Sequence, residues 1–138
     1  MKKSVVILIA LIYVASIVLV GYLGLKAKTY NDVIYVEMLE ITTEYETSPT
    51  TGEKYIVFLP ESADERSIQI QAKLTPEDAS DTKIIYTLEK DCTTATISED
   101  GLLTFTTTEL YTSVKVYIYA NQNTSIKDEV TVYYYNEN

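Results

Sequence analysis

"SVKVYIYA", residues 113–120, and "EVTVYYY", residues 129–135, alternate side-chain character along their whole length. In the first, Val114, Val116, Ile118 and Ala120 fall on one side, with Lys115, Tyr117 and Tyr119 on the other. In the second, Val130, Val132 and Tyr134 share a side. A period of two is that of a pleated strand, whose successive side chains point to opposite faces. β-Branched and aromatic residues, which suit a half-buried pleated surface, make up most of both stretches. The reading is two adjacent strands with one apolar face each.

The same alternation extends outward. "SIQIQAKL", residues 67–74, sets Ile68, Ile70, Ala72 and Leu74 against Gln69, Gln71 and Lys73. Strands are expected near 33–42, 54–59, 67–74, 82–90, 94–97, 102–107, 113–120 and 128–135. Between them lie the turn signals Pro49-Thr50-Thr51-Gly52, Pro60-Glu61-Ser62, Pro76-Glu77-Asp78 and Glu99-Asp100-Gly101. Many short strands with regular turns predict an all-β, immunoglobulin-like two-sheet sandwich over residues 29–138. In "TATISEDGLLTF", residues 94–105, Asp100-Gly101 supplies the positive φ of a tight turn. Ala95 and Ile97 before it, and Leu102 or Leu103 and Phe105 after it, can supply core contacts. That stretch is architecture without reactive groups.

Residues 74–134 resemble a bacterial immunoglobulin-like domain of group 2. Pro76 to Ala79, the aromatic Tyr86, "TATI" at 94–97 and "DGLLT" at 100–104 follow one another as that family's motifs do. Tyr86 stands where the family usually has tryptophan, and "TTELYTS" lacks the glycine common before the penultimate strand. With the first strands included, the resemblance covers about residues 33–135. It implies a sandwich that serves as an extracytoplasmic interaction or structural module of a bacterial protein.

The chain begins differently. Val5 to Leu25 carries no charge, enough at 1.5 Å per residue to cross a hydrocarbon core of ~30 Å. A cleaved signal peptide and a retained anchor compete for this run. A secretory apolar region is ~7–15 residues long and ends in a small-x-small cleavage site. This run is longer, and Leu25-Lys26-Ala27 puts a bulky residue where a small one is needed. We therefore expect a single transmembrane helix over residues 4–25, contacting lipid. Residues 1–28 form a cytoplasmic tail and signal-anchor, and residues 29–138 an extracytoplasmic domain. Lys2 and Lys3 on a short tail set that orientation against Lys26 and Lys28. Tyr13, Gly21 and Gly24 are the candidate packing residues within the helix.

All 20 acidic residues follow residue 28, with 7 of the 11 Lys and Arg, so the soluble part carries a formal charge of −13. Nucleic acid would repel it. The chain has no histidine and one cysteine, Cys92, which excludes an internal disulfide and leaves a thiol without its usual base. "PESADE" and "PEDASD" pair carboxylates, but in polar turns unsuited to acid–base work; EF-hand spacing is absent, and calcium in the oxygen-rich loops is left open. No cofactor and no enzymatic activity are expected.

Eleven of the 13 tyrosines lie outside the anchor. A hairpin of the last two strands would set Tyr117, Tyr119, Tyr133 and Tyr135 on one outward face. Such a face suits partner binding, with simple cross-strand stabilisation as the competing role. Few residues join the anchor to the first strand, so lateral partners, other membrane or envelope proteins, are within reach. The expected function is a non-enzymatic membrane-anchored module, an accessory subunit of a membrane or envelope complex. A pilin-like or secreted polymer subunit and a carbohydrate-binding surface domain are the alternatives; the oligomeric state is open.

Overall fold

Without a charge from Val5 to Leu25, nothing interrupts helix propagation at the amino end. The computed structural model describes residues 2–30 and 32–136, with residues 25–30 as backbone alone. Helix α1 runs Lys3–Tyr30, past the expected end at residue 25. Its stretch Lys3–Gly24 is long and apolar enough to cross a membrane. Apolar side chains lie exposed all round it, from 43% for Val5 to 69% for Val20, the pattern of a helix made for an apolar solvent.

A second compact unit, Ile34–Asn138, is rich in strand. Its elements are β1 (Met38–Ile41), β2 (Glu46–Thr47), β3 (Lys54–Phe58), β4 (Ser67–Gln69) and β5 (Ala72–Thr75). There follow β6 (Ile84–Leu88), β7 (Ala95–Ile97), β8 (Leu102–Phe105), β9 (Tyr111–Ala120) and β10 (Lys127–Tyr135). They form three sheets, ordered β1-β5, β2-β3-β10-β9-β6 and β4-β8-β7. Every pairing is antiparallel except that of β3 with β10. The arrangement is compatible with a β-sandwich.

The alternation read from the sequence becomes burial. Val114, Val116, Ile118 and Ala120 of β9 and Val130, Val132 and Tyr134 of β10 are buried. They join Leu39, Ile41, Ile56, Phe58, Leu74, Leu103 and Phe105 from the other strands in one core cluster. Tyr134 stacks on Phe105 with ring centroids 4.3 Å apart and planes 8° from parallel, and Phe58 lies 5.6 Å from Tyr134. Leu103, not Leu102, is the inward residue of β8: it is buried while Leu102 is exposed.

Two expected strands differ, and one strand is new. Of 33–42, only Met38–Ile41 is strand; the chain before it is tied to loops. Ser80 Oγ accepts the Ile34 N–H, Gln122 Oε1 accepts the Val36 N–H, and Thr75 O accepts that of Glu37. The 67–74 strand breaks in two. Ile70 N–H donates to Gly101 O and Gln71 N–H to Thr43 Oγ1, so β4 pairs with β8 while β5 pairs with β1. The two-residue β2 was not anticipated, since nothing in "ET" signals a strand.

Gly101 holds the turn between β7 and β8 with φ +84°. A Cβ there would lie 2.5 Å from Ile70 O and 2.8 Å from a ring carbon of Tyr86. Gly52 also has a positive φ, +73°, but open space around it. Backbone strain alone therefore predicts a loss of about 1 kcal/mol for Gly52→Ala. Gly101→Ala adds a collision with backbone and should cost about 3 kcal/mol or more. Urea unfolding of the two variants measures the difference; equal losses would contradict the crowded turn.

Candidate docking face

The odd-numbered residues of β9 and β10 all point away from the core, because the even-numbered ones are buried in it. The register sets Tyr133 opposite Ser113 and Tyr135 opposite Tyr111 at one end. At the other, Tyr117 faces Glu129 and Tyr119 faces Lys127. The four anticipated tyrosines thus share one outward face. They are half-buried rather than fully exposed, and they form two groups rather than one patch. Four strand positions separate Ser113 from Tyr117, about 13 Å at 3.3 Å per residue.

The group at the Tyr133 end is larger than expected. Parallel pairing brings β3 beside β10, with Val57 next to Tyr133 and Tyr55 next to Thr131. Tyr55 meets Tyr133 edge-on at 6.0 Å; Tyr111 lies 6.4 Å from Tyr133 and 5.0 Å from Tyr135. Val57, Tyr111 and Leu110 are exposed, Leu110 by 73%. The sequence signalled Tyr55 and Val57 only as alternate positions of "KYIVF". Tyr111 sat in an expected loop, whereas β9 starts there.

Charges divide the two tyrosine groups. Lys115 Nζ lies 3.1 Å from Glu129 and 3.9 Å from Glu53, and 5.9 Å from the centre of the Tyr117 ring. The hydrogen bond to Glu129, more than the charges around it, raises the Lys115 pKa. Lys54 Nζ donates to Asp128 at 2.5 Å and sits 5.0 Å from the Tyr45 ring centre. Burial pulls the Lys54 pKa down, but the bond and charge of Asp128 outweigh it, so the net shift is upward. The Tyr55 hydroxyl donates to the Glu46 carboxylate, which raises the tyrosine's pKa. Tyr86, under the Gly101 turn, is raised chiefly by burial. Asp81 is lowered by the Lys83 backbone N–H and then the Asn121 amide.

What this face presents is rings, hydroxyls and paired charges on a pleated surface. Among the described residues no cluster of three His, Cys, Asp or Glu could hold a metal ion. Cys92 is a half-buried free thiol with Sγ 3.8 Å from Thr94 Oγ1 and Ala95 O. In α1, Tyr13 is exposed and Gly21 and Gly24 have open space around them, so the helix supplies no internal partner for these three.

A pH dependence follows from the raised values. Lys54, Tyr55, Tyr86 and Lys115 bind protons more tightly folded than unfolded. Such groups contribute fully below their unfolded pKa values, 10.0 for tyrosine and 10.5 for lysine, and lose that contribution as pH rises through the folded ones. Urea midpoints should therefore fall across the alkaline range, and Tyr86→Phe should shallow the fall. A midpoint that rises with alkaline pH would contradict these shifts.

No protein-family model matches the chain, and no curated protein matches it.

Proposed function

We propose that the chain is a single-pass, membrane-anchored docking module without catalytic chemistry. In this reading α1 stays attached as a signal-anchor, and the strand-rich unit stands outside the cytoplasm as an immunoglobulin-like sandwich of the bacterial group 2 kind. The strand order supports the fold. The sheets β1-β5 and β4-β8-β7 meet through the adjacent strands β4 and β5 and can be read as one layer, and β2-β3-β10-β9-β6 as the other, with β3 parallel to the last strand. With β6, β9 and β10 on one side and β1, β5, β8 and β7 on the other, the order resembles the two sheets, ABED and CFG, of an immunoglobulin sandwich. The short chain from Gly24 to Ile34 limits reach, since each residue spans at most ~3.6 Å. A lateral partner in the same membrane or envelope complex fits that reach.

The observation that carries the reading is the apolar end of the outward face, where Tyr55, Tyr111, Tyr133 and Tyr135 meet beside exposed Val57 and Leu110. Contiguous aromatic and apolar surface on a soluble unit marks an interaction site. Tyrosine brings area at low rotamer entropy, and buried tyrosines are frequent hot spots of ~2 kcal/mol or more. The charge of −13 outside the anchor favours a basic partner surface and salt-sensitive association.

Two measurements test this. Protease added to intact spheroplasts should digest the strand-rich unit and leave α1 in the membrane; full protection would reverse the orientation, and a mature chain beginning near Ala27 would remove the anchor. For docking, Tyr111→Ser with Tyr135→Ser should keep the domain folded yet abolish co-purification of its partner, while Tyr117→Ser with Tyr119→Ser should leave capture intact. Normal capture by the first pair sinks the assignment of this end.

A further inference from the structure

Strand β3 is an edge over part of its length. Its neighbour β2 pairs only Glu46 with Tyr55 and Thr47 with Lys54. Residues that would continue that pairing turn away instead: the N–H groups of Thr42 and Thr43 donate to Gln71 O, on the β5 side. A cleft of about 240 Å³ opens where the two segments part, lined by Glu44, Tyr45, Glu46, Tyr55, Ile56 and Val57. Beyond it Ile56 and Phe58 face the core, while Val57 and Leu59 are 47% and 60% exposed.

Sheet edges in soluble proteins are usually guarded by charge, proline or a bulge. "YIVFL", residues 55–59, contains no charge and no proline. The edge is thus apolar from Ile56 to Leu59 and carries no ladder pairing with β2 there.

Its surroundings select the occupant. Glu44 and Glu46 are exposed at the mouth of the cleft, and among the described residues neither forms an ion pair. Of the nearby cations, Lys54 is held by Asp128, and Lys73 lines the neighbouring cleft with Glu40 and Glu44. A second copy of this chain would bring a matching negative charge and be repelled. A strand with lysine or arginine at alternate positions would meet the two carboxylates with its charges and Val57 with its apolar side chains. We propose that the edge of β3 and the residue after it, residues 56–59, receive an extended basic strand from a partner protein by β-augmentation, its cations seated against Glu44 and Glu46. This rests on the docking reading and gives it a mode: the added strand extends the sheet beside the tyrosine-bearing face.

The probe is a synthetic capped peptide in which valine alternates with lysine, added to the full chain in nanodiscs of zwitterionic lipid. Backbone amide exchange is followed residue by residue. At peptide concentrations ten times Kd, edge amides of residues 56–59 should exchange about tenfold more slowly, with β6 unchanged. Glu44→Gln with Glu46→Gln should weaken binding severalfold. Peptides with valine and lysine in blocks, or with glutamate for lysine, should give no slowing. Val57→Lys should abolish it while β9 and β10 keep their protection; if it disturbs them, Leu59→Lys, beyond the strand, serves the same purpose. Slowing at β6 instead, equal slowing by the blocked peptide, or slowing that survives both edge variants overturns the proposal. A peptide that perturbs Tyr111 and Tyr135 without slowing β3 also overturns it but leaves tyrosine docking standing. Slowing at β3 in a chain whose Tyr111 and Tyr135 variants still capture their partner supports the edge and removes the tyrosine face.

Discussion

Strands β9 and β10 pair over nine positions, from Lys127 opposite Tyr119 to Tyr135 opposite Tyr111, and that register decides where every other element can lie. On its inner side it lines up Val114, Val116, Ile118, Val130, Val132 and Tyr134, all essentially without solvent contact. A slip of one residue would turn Lys115, Tyr117 and Tyr119 into the core and expose the valines. At about 1.5–3 kcal/mol per buried apolar side chain, such an inversion would cost on the order of a small domain's whole net stability. β3 docks on one side of this pair and β6 on the other, and Tyr134 carries the contact across to Phe105.

The same pleat explains how three consecutive tyrosines take opposite parts. Tyr134 points inward and stacks; Tyr133 and Tyr135 point outward and meet Tyr55 and Tyr111. The inward one keeps a hydroxyl with no hydrogen-bond partner among the described residues. An unsatisfied buried hydroxyl costs about 1–3 kcal/mol. The stack on Phe105 and the filled volume of a large ring offset that, so the core gains shape at the expense of a polar atom.

Legibility in the sequence tracked the range of the interaction. The alternation of 113–120 and 129–135 is local, and its inner and outer faces could be read directly. So could the turn at Gly101, because positive φ is a property of one residue, although its contact with Tyr86 and Ile70 is not. Pairing of β3 with β10 joins residues far apart in sequence, and nothing in "KYIVF" announces a parallel partner. That is why Tyr55 and Val57 were missing from the expected face. The 67–74 strand looks continuous because its side chains alternate throughout; it breaks through backbone bonds to Gly101 and Thr43, which side-chain pattern does not encode. Tyr111 was hidden by the polar residues before it.

The helix and the strand-rich unit differ in how much they can discriminate. Around α1 the side chains are apolar on all sides, so no face is set apart by hydrophobicity. Ser16, a polar side chain within the span, already donates to Ile12 O, and Gly21 and Gly24 offer only open space. Were such a helix to sit in lipid, its contacts with a partner helix would depend on close van der Waals fit rather than on burial. The strand-rich unit instead carries directional groups: edge amides beyond β2, the carboxylates of Glu44 and Glu46, and tyrosine hydroxyls held in place by ring contacts. Specificity between similar partners needs groups that penalise the wrong one. An uncharged edge flanked by two carboxylates does this, because an acidic or helical segment would leave charge repelled and backbone unpaired there. In the proposed docking, discrimination between partners would therefore rest on β3 and not on α1.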